Sequence, residues 1–195
     1  MRLWLVVCVL TATIMVSCGS APSTREVSSL GVGSTRLTAM NVARRVHDKV
    51  NELRAEHGLK ALRWEPRLLD IATAHSRDMM ARGYFAHQSP DGHNFQFRYK
   101  AGGYKCEVPI DRRRYSTGGE NLALSHSFDG VRTFHDGRRE SYGPRTPDQV
   151  AQRVLTGWFN SPGHRRNLLR PYWRQEVIGV VIGADGRIWV TQNFC

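Results

Sequence analysis

Two β-rich runs, Val177–Ile182 and Ile188–Phe194, flank Gly183-Ala184-Asp185-Gly186-Arg187 and close the chain with a hairpin signal. Everything ahead of them that carries a clear apolar period is helical in spacing. Val42, Val46, Val50 and Leu53, followed by Gly58 as a stop, predict a helix over 40–57. Pro66 as a start, Leu68, Leu69, Ala72 and Met79 on one face, and Gly83 as a stop predict a second over 66–82. Helices therefore come first and a hairpin last, and no internal repeat joins them.

Between these landmarks the signals are weaker. Residues 93–101 read as a short third helix ending at Gly102-Gly103, and Gly118-Gly119-Glu120-Asn121-Leu122-Ala123 runs from a flexible glycine pair into an apolar stretch. Residues 125–145 are polar with glycines at 130, 137 and 143, the composition of a mobile surface loop. Thr146-Pro147-Asp148-Gln149 is a strong helix opening, with an N-cap threonine, proline in the first turn and glutamine in the capping-box position. Val150, Val154, Leu155 and Trp158 line that helix, and Ser161-Pro162-Gly163-His164 opens another, stopped by Pro171. At 195 residues the chain has room for one ordinary domain with short appendages.

The N-terminus speaks to location. Met1-Arg2 is a short positive region, and Leu3 to Val16 is an uncharged, largely apolar run of 14 residues. That is signal-peptide length and short of the roughly 20 residues a membrane-spanning helix needs. Met15-Val16-Ser17-Cys18-Gly19 resembles a bacterial lipobox, so residues 1–17 are expected to be a lipoprotein signal and Cys18 a lipid-bearing N-terminus on the outer side of the cell membrane; cleavage nearby with simple secretion is the alternative. Residues 18–37, rich in Ser, Gly and Thr, read as a tether, and 38–195 as the folded domain. Cys8 falls in the discarded run, which leaves Cys106 and Cys195 to pair in an oxidising compartment, with two free thiols as the alternative.

The formal charge is +11, and 24 of the 28 basic residues are arginine. An anionic partner such as phospholipid headgroups or an envelope polymer is one reading, since guanidinium matches phosphate geometry. A plain compositional preference is the other. The densest run, Arg112-Arg113-Arg114, lacks interleaved stacking aromatics, and together with export this argues against nucleic acid.

Well-marked catalytic signatures are missing: no His-Glu-x-x-His, no Gly-x-Ser-x-Gly, no phosphate-binding glycine loop with Lys, no Cys-x-x-Cys. What stands out is His87 in a turn-rich loop, and Glu120 and His164, each directly after a glycine. Ser161, three residues before His164, invites a nucleophile–base pairing, but its place before Pro162 suits an N-cap. His75 reads as packed or solvent-facing, and no spacing recommends His126 or His135 as ligands.

The ordered set YFAHQSPDG, GGENLA, WFNSPGHRRNLL and IGVVIGADGRIWVTQNF resembles the bacterial branch of the CAP superfamily, the SCP-like domains, over residues 40–195. The resemblance implies an α+β fold, an α-β-α sandwich with a small, mainly antiparallel central sheet. It also implies a cleft lined by two His and two Glu, in which the His pair holds a divalent metal such as zinc. His87, Glu120 and His164 match three of those positions; the second Glu would fall near Ser161, where the sequence reads Trp158-Phe159-Asn160-Ser161.

Three functions follow as expectations. The first is an exported binding domain whose cleft, with His87, Glu120, Ser161 and His164, takes a small ligand, a lipid or a divalent metal at the envelope. The second is a metal-dependent hydrolase in which His87 and His164 hold the ion and Glu120 is the base. The third is a binder of anionic envelope polymer or lipid through the arginine-rich surface.

Overall fold

The computed structural model describes residues 36–195; the expected signal segment, Cys18 and nearly all of the tether lie outside them. The first helix, α1 (Ala39–Glu56), begins where the Thr38 hydroxyl accepts from the Asn41 N–H, and buries Val42, Val46 and Val50. After β1 (Arg63–Trp64) a single 3₁₀ turn over Pro66–Leu68 leads into α2 (Leu69–Arg82). The predicted second helix is thus two pieces, ended as expected by Gly83 in the left-handed conformation. The third, α3, is shorter than predicted, Phe95–Ala101, because Asn94 caps it.

Strands β2 (Val108–Pro109) and β3 (Tyr115–Ser116) form a small antiparallel pair, followed by β4 (Gly119–His126). The expected mobile loop is corrected here: β5 (Phe128–Thr133) and β6 (Arg139–Pro144) pair antiparallel across 128–144. Gly137, at φ +81°, makes their turn. Helix α4 (Pro147–Asn160) opens with the predicted capping box between Thr146 and Gln149. Helix α5 (Pro162–Leu168) and the closing hairpin, β7 (Gln175–Ile182) and β8 (Arg187–Phe194), complete the order.

The central sheet runs β1-β7-β8-β4, with β1 parallel to β7 and the other pairs antiparallel. Side chains alternate faces along a strand, and β7 shows what covers each. Glu176 meets His47 of α1, whereas a Cβ on Gly179 would fall 2.3 Å from the backbone of Ala72 and Thr73 in α2. Helices α1 and α2 therefore lie on opposite faces, and α4 packs beside α1 and against β4. This is the α-β-α sandwich that the resemblance implied.

One large core holds Val46, Val150, Trp158, Trp173, Ile178 and Phe194 among its buried members, and a smaller cluster of Met79, Leu122 and Trp189 sits under α2. Met79 is packing, as expected. Buried polar side chains of the two flanking helices are tied down: Ser76 Oγ donates to Gly179 O at 2.9 Å, and the Arg54 guanidinium donates through Nη1 to Leu168 O and Arg170 O, capping the end of α5, while its Nη2 has no partner among the described residues. Cys106 and Cys195 form a disulfide across 89 residues, tying Cys195, just past β8, to the loop before β2.

Candidate functional site

Glu120, the second residue of β4, is buried, with its side chain 1% exposed. Its carboxylate is enclosed by donors from three elements. Oε1 accepts from His87 Nδ1 at 3.0 Å; Oε2 accepts from Arg98 Nη2 at 2.6 Å and from Asn193 Nδ2 at 3.1 Å. His75 Nε2 lies 4.0 Å from Oε1. Burial alone would push this carboxyl up, but the His87 bond and the Arg98 charge outweigh it and hold the pKa below the ordinary carboxylate range. Glu120 is an anion at neutral pH.

The loop after α2 carries His87, and it is pinned rather than free. Arg98, in α3, donates through Nη1 to His93 O at 2.8 Å and through Nη2 to His87 O at 3.2 Å while it also holds Glu120. His75 in α2 bonds Ala86 O at 3.1 Å. Burial lowers the His75 pKa, so it does so as a neutral ring donating Nε2–H. Because Glu120 takes the Nδ1–H of His87, the lone pair of a neutral ring is left on Nε2.

His164, the third residue of α5, brings its ring to 6.0 Å from that of His87, centroid to centroid. Burial first, and then the neighbouring His87, push its pKa down, which keeps this imidazole neutral as well. Its position is fixed from the sheet: Asn121 Nδ2 donates to His164 O at 3.3 Å, and Asn167 Nδ2 bonds both Asn121 Oδ1 and Glu120 O. Strand β4 therefore places Glu120 toward α2 and α3 on one face and Asn121 toward α5 on the other.

A groove of about 910 Å³ runs from His164 and Ser161 along α4 and the edge of β4, with Phe85 at its rim. Ser161 lies between α4 and α5 at the N-cap position, yet its side chain makes no capping hydrogen bond. The hydroxyl there stands where the resemblance expected the second carboxylate. His126 also lines the groove; His135 is exposed in the β5–β6 turn, away from it.

Two imidazoles with one carboxylate behind them suit a divalent cation, but the donor set is thin. Among the described residues no three His, Cys, Asp or Glu side chains converge as metal ligands. The oxygens of Glu120 are already engaged by His87, Arg98 and Asn193. A cation held by His87 and His164 would take its remaining ligands from water or from a bound molecule.

The structure unites the three residues singled out in the sequence, His87, Glu120 and His164, and adds five: His75, Arg98, Asn121, Asn167 and Asn193. Asn193 lies inside a motif that carried the resemblance. Arg98 has no local signal, being one of 24 arginines that only the folded chain brings to Glu120.

Residues 47–194 match the sequence profile of CAP, the cysteine-rich secretory protein family. The uncharacterized protein YkwD of Bacillus subtilis is 31% identical over 175 residues, covering 89% of this chain and 54% of that protein. Among solved structures, an extracellular protein containing an SCP domain from Bacillus anthracis aligns with a TM-score of 0.54 at 28% identity, over 83% of this chain and 44% of that one. A cysteine-rich secretory protein from Staphylococcus aureus aligns at 0.52 and 16% identity, over 80% of this chain and 38% of that one, a likeness of fold. The chain spans about half the length of YkwD and less of these two structures.

Proposed function

The chain belongs to the CAP (cysteine-rich secretory protein) family, and from that premise we propose that it is an exported binding domain whose cleft takes a divalent cation, or a small ligand in its place, between His87 and His164. The observation that carries this reading is the bond from His87 Nδ1 to the buried Glu120, with the His164 ring 6.0 Å away. A carboxylate behind a ligating histidine fixes the ring and raises its basicity, and loss of such a partner typically costs about 10–100-fold in metal affinity. When bound, a divalent cation supplies a positive centre for an anionic or carbonyl-bearing molecule in the groove. The protein's own residues supply the positioning.

The hydrolase reading gives Glu120 the role of base. Its low pKa and three donors favour a structural carboxylate over a proton acceptor, so binding is the better-supported reading. Export, with Cys18 as a lipid anchor to the outer side of the cell membrane, and contact of the arginine-rich surface with anionic envelope lipid or polymer belong to the same proposal. They rest on the N-terminal sequence and on the charge of +11. The extracellular description of the Bacillus anthracis neighbour fits that placement, and no helix among the described residues is long and apolar enough to cross a membrane.

The test is a calorimetric zinc titration of the full chain against His164→Ala. One ion bound by the native protein and none by the variant is expected. Equal binding by both would overturn the site.

A further inference from the structure

Strand β4 is an open edge of the central sheet, since the order β1-β7-β8-β4 leaves one of its sides without a strand. Open edges present unpaired N–H and C=O groups that folded proteins ordinarily cover. Here the covering is partial. On the side away from β8, Asn167 Nδ2 takes Glu120 O, Trp158 Nε1 takes Leu122 O at 2.7 Å, and Arg145 Nη1 takes His126 O at 2.8 Å. Backbone direction alternates along an antiparallel strand, so Leu124 turns its N–H and C=O to this same side. Neither group has a partner there among the described residues. Leu124 as a whole residue is 42% exposed.

The groove lies along this uncapped stretch, with Leu122 to His126 as one wall and α4 as the other. Gly157 belongs to the α4 wall. A Cβ there would meet nothing within 4 Å, and its φ is not positive. A glycine inside a helix costs about 0.5–1 kcal/mol relative to alanine, and neither backbone conformation nor crowding requires it; it keeps the wall low.

Charge narrows the occupant. No Asp or Glu lines the groove, whereas exposed Arg153 does, and Arg153 makes no ion pair among the described residues. Two histidines, His126 and His164, also line it, on a chain of net charge +11.

We infer that the groove accepts an acidic peptide segment in extended conformation, added as a further strand at Leu124 with its carboxylates facing Arg153. Main-chain hydrogen bonds from such a strand supply affinity, and alternate side chains supply selectivity. This inference rests on the reading of the cleft as a binding site and does not require a bound cation.

Fluorescence anisotropy tests it, with the full chain and three labelled six-residue probes. The first alternates glutamate and valine, the second replaces glutamate by lysine, and the third is the acidic peptide N-methylated at alternate amides. The acidic probe is expected to bind, the lysine and N-methylated probes to bind at least about tenfold more weakly, a difference of about 1.4 kcal/mol. Gly157→Leu, which fills the groove, and Arg153→Glu, which reverses its charge, are each expected to weaken the acidic probe by a similar factor. Gly157→Ala leaves space and is expected to keep binding, which separates blockage from misfolding. Absence of binding, equal binding of the N-methylated probe, or indifference to Gly157→Leu would each overturn the inference. A zinc titration on the same samples reports separately on His87 and His164, so failure of the peptide site and of the cation site are read independently.

Discussion

His87 Nδ1 and Glu120 Oε1 lie 3.0 Å apart, and this one bond links an exposed loop imidazole to a carboxylate sealed in the sheet. It sets which ring nitrogen faces the carboxylate, and with His164 of α5 opposite it brings two residues far apart in sequence into one site. The surrounding groups serve that bond. Arg98 holds both the carboxylate and the loop, His75 ties down Ala86, and Asn121 and Asn167 fix α5.

Arg98→Ala should therefore lower stability and disorder the site together. Removing one partner of a buried ion pair typically costs about 3–5 kcal/mol, and here it leaves Glu120 buried with two donors and the His87 loop unclamped. Urea unfolding is expected to show a lower midpoint and a loss of unfolding free energy of that order, with Arg98→Lys failing to rescue because an ammonium cannot span His93 O, His87 O and Glu120 at once. A midpoint unchanged in Arg98→Ala would contradict the clamp.

Acid should destabilise the fold in two stages. His75 has a pKa lowered mainly by burial, and His164 shares the direction. Their unfolded forms bind protons first, so stability is complete above about pH 6.5 and falls as pH drops below it toward the lowered folded values. Glu120 also has a lowered folded pKa; its contribution is complete above about pH 4.5 and is lost as pH falls through the folded value. Urea midpoints from pH 7.5 to 3.5 should decline monotonically, and His75→Gln should reduce the first decline. A midpoint that rises between pH 7 and 5.5 would refute this.

Gly179 is where helix α2 comes closest to the sheet. A Cβ would stand 2.3 Å from Ala72 C and Thr73 N, which are backbone atoms that move only with the helix. Gly179→Ala is expected to cost about 3 kcal/mol, at the upper end of overpacking effects. Gly157→Ala, in open space, should instead stabilise by about 0.5–1 kcal/mol. Thermal unfolding of the two variants should move in opposite directions.

The Cys106–Cys195 disulfide closes 89 residues and anchors Cys195, whose carbonyl accepts from Arg174 N and Gln175 N. Reduction, or Cys106→Ala, should lower stability by on the order of 4 kcal/mol in the chain-entropy account. Unfolding with and without reductant measures it, and coincident curves would contradict it.

How far the sequence reaches depends on what each signal measures. Helices α1 and α4 are legible because their caps and apolar stripes are local, and the closing hairpin because its turn and β-branched runs are adjacent. Strand β4 is not: Gly119, Glu120, Asn121 and Leu122 are all buried, between α2 on one face and α5 on the other, so no polar–apolar alternation marks it. The β5–β6 pair has its turn signal at Asp136-Gly137, but its flanks are mostly exposed and polar, which gives a loop's composition to a hairpin. At the site, His87, Glu120 and His164 were found through motifs. Arg98, His75 and Asn193 enter by tertiary approach across 22, 45 and 73 residues from Glu120, a separation that no local pattern encodes.

The most direct test of the paired imidazoles is an imidazole nitrogen-15 spectrum of the full chain at pH 7, recorded before and after one equivalent of zinc. The account predicts His87 protonated on Nδ1 beforehand, and on zinc addition shifts confined to His87 and His164 while buried His75 stays unmoved. A His87 ring carrying its proton on Nε2, or a spectrum in which zinc moves neither of the two, would contradict it.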